Sequence, residues 1–426
     1  MSRRYMRLLS MIGVFALIVA ACGDDGADTT TTEALETTTT EAEVTTTEQM
    51  VDFEPVPLVI GTLLPQTGGL ATIHDALAEP INMGAEEINE LFPGLITLEH
   101  ADGATDPAIA SENVDQFLTG GHAAILGAAD SGSSTAIVDK VQEAQVVMCS
   151  GSNTGASLSA FEPYYNRTAP SDELQAPTLG DLIIADGHSS VAVIWQTTEY
   201  GVGFGELLAQ YLVDSGIDVP LQEGYDANAS SFSDLMDAVG ASGAEAMAMI
   251  TYAEGGQILL DMQGRFDGAV YVADGFVDTV GADQVGGQIE LLAGLRGTYP
   301  SAAPASGEPT FGERFAEYAP DTPTIFSAHF YDCLMTVVLA AQKAQSADPS
   351  VFVDEIVGIT GAPGTKCNLF ADCMALLEAG EDIDYDGASG PLDFLSNGQP
   401  GAGTYDLFEF DADGAYADFD QVVIEL

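Results

Sequence analysis

Six short stretches of this 426-residue sequence gather the side chains best able to hold a small polar molecule. They run over 65–69, 129–134, 150–154, 197–201, 252–255 and 273–276, and each follows an apolar burst. They supply Thr67 and Gly68, Ser131, Ser152 and Thr154, Tyr200, Tyr252 and, last, an acid, Asp274. Hydroxyls and backbone N–H groups at helix N-termini suit a carboxylate or another small anion. One such loop says little, because Ser, Thr and Asp are also ordinary N-caps. Six in series on one fold say more.

Motifs for covalent or metal chemistry are missing. There is no phosphate-binding Gly-x-x-x-x-Gly-Lys loop, and Gly201, Gly203 and Gly205 have the wrong spacing for a dinucleotide fingerprint. No nucleophile elbow occurs. His74, His100, His122, His188 and His329 form no zinc spacing. The sequence points to a binding protein that is not an enzyme and needs no cofactor. One acidic run, Asp382, Asp384, Asp386 and Gly387 followed by Asp393, matches a calcium loop with Asp in place of the final Glu. Its flanks do not read as paired helices, and the plainer reading is a polar turn feeding a strand over Pro391–Leu395.

The loops need a scaffold, and the pattern around them is α/β. Bursts of strand length fall at Leu58–Leu64, Ile96–Leu98, Ala123–Leu126, Val146–Met148, Val191–Trp195, Ala246–Ile250 and Ala269–Val272. Amphipathic stretches of helical length alternate with them: Asp75–Leu91, Pro107–Leu118, Thr135–Ala144, Glu173–Ala185, Glu206–Val213 and Gly255–Gly264. This alternation predicts right-handed βαβ units and doubly wound parallel sheets, covered on both faces. Ligands then sit beyond the carboxyl ends of the strands, where the six loops are.

Composition narrows the partners. Sixty-six acids against ten bases give a net charge of −56, which excludes nucleic acid and any basic patch for an anionic membrane. Residues 1–22 read as a Sec signal: Arg3, Arg4 and Arg7, an apolar run over Leu8–Ala21 too short to span a bilayer, then Cys22. Ala20, Ala21 and Cys22 resemble the lipobox of bacterial lipoproteins, in which the Cys carries the lipid. Residues 24–54 hold 11 Thr and 10 acids, so 23–55 reads as a disordered tether. Export and lipid anchoring to the outer face of the cytoplasmic membrane follow.

From residue 56 onward the chain resembles the type I periplasmic binding proteins of branched-chain amino-acid ABC transporters. The resemblance rests on an ordered set: Ile60–Gly68, Gly84–Asn89, Asp106–Pro107, Ala124–Gly127, Ser150–Thr154, Arg167–Asp172, Tyr200–Gly201, Gly256–Ile258 and Gly390–Leu392. It implies two lobes, 56–172 with 304–398 and 173–303 with 399–426. Three hinge crossings are implied, near Ala169–Leu174, Pro300–Ser306 and Asn397–Gly403. Carried over residue by residue, Ser131 and Thr154 match hydroxyls that hold a ligand α-carboxylate, with Ser152 a backbone contact beside them. Tyr200 and Tyr252 match aromatic residues that close over the ligand, and Asp274 matches the acid that pairs with the α-ammonium. Thr67 and Gly68 fall where the first loop lines the side-chain pocket. Ser152, Asn153 and Asp274 depart from the amino-acid pattern in size, and Asp130 adds a charge beside Ser131.

Four cysteines follow Cys22, an even number in an exported chain. Cys367 and Cys373, six apart, are the natural local pair. That leaves Cys149 with Cys333, on a helix the resemblance assigns to the same lobe. The resemblance implies a monomeric solute-binding lipoprotein that captures an amino acid and hands it to an ABC permease. The alternatives are a ligand-sensing domain of the same fold, or an importer protein for an amide, urea or small acid.

Overall fold

The computed structural model describes residues 53–302 and 309–425. The signal, Cys22, nearly all of the tether and most of the second hinge segment lie outside the described residues.

Chain order begins β1 (Leu58–Leu64), α1 (His74–Leu91), β2 (Ile96–Asp102), α2 (Pro107–Gly120), β3 (Ala124–Gly127), α3 (Ser131–Ala144), β4 (Val147–Ser150) and β5 (Tyr165–Arg167). These strands form one parallel sheet of order β2-β1-β3-β4-β5. β1 and β3 are almost wholly buried, as strands covered by helices on both faces require. The chain turns from β2 to β3 across β1, which makes the β1/β3 edge the switch point where the loops open a crevice.

The second unit runs α4 (Asp172–Ala185), β6 (Ser190–Gln196), α5 (Glu199–Asp214), β7 (Asp218–Tyr225), α6 (Ser233–Ser242), β8 (Ala246–Ile250), α7 (Gly255–Met262), β9 (Ala269–Val272) and β10 (Arg296–Pro300). The chain then returns to the first sheet through α8 (Phe311–Tyr318) and α9 (Ser327–Ala344), which packs on α1 and β4. Ser327–Gln342 of α9 is buried throughout, which explains its apolar character on every side. Next come α10 (Pro349–Phe352), β11 (Thr365–Cys367), α11 (Phe370–Glu378), β12 (Ile383–Tyr385), β13 (Ala402–Phe410) and β14 (Tyr416–Glu425). The second sheet has the order β14-β13-β10-β9-β8-β6-β7. It is parallel from β10 to β7, while β13 and β14 add an antiparallel hairpin at one edge. Its switch point lies between β6 and β8.

The acidic run near residue 384 folds differently from either sequence reading. Asp384 lies within β12, whose partner is β11, and Lys366 Nζ is 2.7 Å from Asp386 Oδ1. Asp382 pairs with Lys343 at 2.6 Å. The carboxylates are spent on separate lysines, and no group of three or more metal-binding side chains occurs among the described residues. The strand expected over Pro391–Leu395 does not form. Gly390 at φ +128° and Asp393 at φ +39° break the extended backbone, leaving one bridge between Asp386 and Pro391. Among the described residues no helix is long and apolar enough to cross a membrane.

Two disulfides are present. Cys149 at the end of β4 joins Cys333 on α9, 184 positions further along the chain, and Cys367 joins Cys373, six positions on.

Candidate ligand-binding site

The loops at the carboxyl ends of the two sheets meet face to face. Ser131 opens α3, capped by Asp130, whose Oδ1 accepts from Ser133 N at 2.8 Å. Ser152 and Thr154 follow β4, Tyr200 lies in the first turn of α5, Tyr252 follows β8 and Asp274 follows β9. Ser131, Ser152, Thr154, Tyr200, Tyr252 and Asp274 all line one enclosed cavity, together with Leu70, Ile73 and Phe326. The cavity has about 20 Å³ of space, room for roughly one water molecule. An amino acid enters only if the lobes part.

Each side of the cavity is locked by its own hydrogen bonds. On the first, Ser131 Oγ accepts from Gly155 N at 3.2 Å and Ser152 Oγ donates to Ala129 O at 2.8 Å. Asn153, buried, donates to Ala129 O at 2.9 Å and accepts from Tyr165 OH at 3.0 Å. Its side chain therefore ties the two loops together. Arg167 completes the lock: fully buried, it donates to Asn153 O at 3.1 Å and Gly155 O at 2.9 Å, and pairs with Gln399 in the third crossing. Removing a buried guanidinium strands these acceptors. Arg167→Met is expected to lose on the order of 3 kcal/mol of stability and to weaken ligand binding by loosening the loop that carries Thr154. Guanidinium unfolding and calorimetric titration of the same sample check both.

On the second side, Tyr200 OH donates to Asp274 Oδ1 at 3.0 Å, and the Tyr200 and Tyr252 rings stack at 5.4 Å and 7°. Burial pushes the Asp274 carboxyl up to about 6, against the Tyr200 hydrogen bond that lowers it. The lobes touch directly where Ser157 Oγ donates to Glu199 Oε1 at 2.6 Å.

Two placements differ from the sequence reading. Thr67 and Gly68 are exposed and do not line the cavity. Thr67 Oγ1 instead donates to Asp102 Oδ2 at 2.7 Å, and Gly68, at φ +89°, presses so close to Ala104 O that a Cβ would lie 1.8 Å from it. Leu70 and Ile73, a few residues on, provide the wall. The second is Asp172, given no role from sequence. It is fully buried at the start of α4, and neither carboxyl oxygen has a hydrogen-bond partner among the described residues. Burial, then the charge of Asp274, raise its pKa. In sequence it looks like any acid in a first helical turn, which favours negative charge on its own account. Phe326 was also missed, since nothing in the sequence separates it from an ordinary core aromatic.

Two sheet-based lobes with facing loop clusters, hydroxyls on one side and an acid with stacked tyrosines on the other, define a two-lobed solute-binding fold. The chain belongs to the periplasmic binding protein family, whose model matches residues 57–415. It is 21% identical over 376 residues to the chemotactic signal transduction system substrate-binding protein BasB of Halobacterium salinarum, covering 82% of this chain and 86% of that one. It is 25% identical over 300 residues to the Leu/Ile/Val-binding protein homolog 2 of Brucella abortus, covering 68% and 80%. In structure it is similar to the leucine-binding protein LivK of Thermotoga maritima, with a TM-score of 0.73 at 20% identity, covering 86% of this chain and 99% of that one.

Proposed function

We propose that this protein captures an α-amino acid of the branched-chain type between its lobes, outside the cytoplasm, and delivers it to an ABC permease while tethered by lipid at Cys22. The observation that carries the reading is the division of chemistry across one cavity. Ser131 and Thr154 offer hydroxyls to a carboxylate, while Asp274 offers a carboxylate to an ammonium. A zwitterion buried with both partners avoids the cost that either charge alone would incur. The domain boundaries, with hinge segments after β5, after β10 and before β13, belong to the same proposal, as does monomeric action. Ligand contact with both lobes biases them toward closure.

This reading fixes a pH dependence. An ammonium needs Asp274 ionised, so affinity is expected to be flat above about pH 6 and to fall as pH drops below it, by about tenfold per unit for one linked proton. Calorimetric titration with L-leucine between pH 4.5 and 8 tests this, and a flat profile contradicts it. The BasB relative supports a second reading, in which the same capture reports to a sensory partner. Deleting the gene separates the two: loss of amino-acid uptake marks an importer, and loss of a behavioural response with uptake intact marks a sensor.

A further inference from the structure

Glu254 stands two residues from Tyr252, in the loop between β8 and α7, and does not itself line the cavity. It occupies the N-cap of α7, where a carboxylate ordinarily accepts from the first N–H groups of its own helix. It makes no such bond. The side chain turns back instead, and Glu254 Oε1 accepts three hydrogen bonds: from Tyr252 N at 3.2 Å, from Thr251 Oγ1 at 2.9 Å and from Tyr225 OH at 3.1 Å. Tyr225 ends β7, and its carbonyl accepts from Thr197 N at 2.9 Å, in the loop that leads to Tyr200. One carboxylate oxygen and one tyrosine thus tie together the two loops that carry the stacked rings. The stack is also backed from behind: a Cβ on Gly275 would lie 2.9 Å from Cδ1 of the Tyr252 ring.

Resting on the amino-acid reading above, we propose that Glu254 is a positioning residue for ligand capture: it fixes Tyr252, and through the stack Tyr200, as an aromatic wall set in place before the ligand arrives. Three donors converging on one acceptor hold the strand-end loop in a single arrangement. A wall already ordered spares the ligand the entropy cost of ordering it. Because Glu254 is not part of the cavity lining, its effect on the ligand passes through Tyr252 alone. That separates positioning from a general loss of stability.

The test is a double-mutant cycle read by calorimetric titration of the full chain with L-leucine. Glu254→Ala is expected to weaken binding about tenfold, in line with the loss of hydrogen bonds to a charged group. Glu254→Gln keeps an oxygen for the same donors and is expected to stay within about threefold of the unchanged protein. Tyr252→Ala weakens binding by itself, and adding Glu254→Ala to it is expected to cost less than about twofold more, because the residue to be positioned is gone. Should Glu254→Ala fail to fold by circular dichroism, Tyr225→Phe takes its place in the cycle. It removes one of the three donors, and its expected loss of about threefold should likewise vanish beside Tyr252→Ala. Leucine bound by Glu254→Ala as tightly as by the unchanged protein overturns the inference and leaves the proposed function standing. So does a second loss of the same size on top of Tyr252→Ala, or a Gln variant as weak as the Ala one. Silence of the unchanged protein toward leucine removes the proposed function, and this inference with it.

Discussion

Asp274→Asn is expected to weaken amino-acid binding by at least about a hundredfold, while the folded protein becomes more stable. Truncating one partner of a buried charge pair costs about 2–5 kcal/mol of binding free energy, and about 3 kcal/mol corresponds to a hundredfold or more. The stability change has the opposite sign. The Asp274 carboxyl is held near 6 in the fold against an ordinary 3.8, so the folded state keeps this proton longer than the unfolded chain does. Its contribution is best below about pH 3.8, worsens as pH rises, and is fully unfavourable above about 6. Asn carries no such charge, so the variant should gain on the order of 3 kcal/mol near pH 7.5 and nothing below pH 4. Unfolding curves at the two pH values, with titrations at the higher one, check both halves. Affinity retained in Asp274→Asn would show that the acid does not read an ammonium.

Opening the Cys149–Cys333 bond should cost far more stability than opening Cys367–Cys373. Cross-linking over 184 residues removes about 5 kcal/mol of chain entropy from the unfolded state, against about 2 kcal/mol across six. The long bond also joins the end of β4, which leads into the Ser152–Thr154 loop, to α9, whose first turns sit beside Phe326. The paired replacement Cys149→Ala with Cys333→Ala is therefore expected to lower both guanidinium resistance and ligand affinity. Cys367→Ala with Cys373→Ala should lose at most about 2 kcal/mol and keep affinity. Equal losses from the two pairs would contradict the assignment of the long bond to the site.

What could be read from sequence follows burial. β8 runs over Ala246–Ile250 with every residue buried, and its apolar run announces it without ambiguity. β7 was missed because it is an edge strand with exposed Asp218, Pro220, Gln222 and Glu223, and such a strand has no apolar run to show. β14 was missed for the same reason, exposed along most of its length. Within the site, Ser131, Thr154, Tyr200, Tyr252 and Asp274 could be named because strand-end loops and family motifs mark them. The chain's path within a loop carries no such mark. Thr67 therefore turns away to Asp102 while Ile73 faces the cavity. Asp172 and Phe326 take their places from neighbours far off in sequence, Asp274 for the one and Leu70 and Ile73 for the other, which only the folded arrangement brings together.

The most direct measurement compares L-leucine with 4-methylpentanoate, the same molecule without its ammonium, by calorimetric titration of the full chain at pH 7.5. A site built from Ser131 and Thr154 on one side and Asp274 on the other should bind the amino acid saturably and the plain acid at least about a hundredfold more weakly. Equal binding of the two, or binding of the acid alone, would contradict a zwitterion site and make the buried acids part of the hinge rather than of ligand recognition.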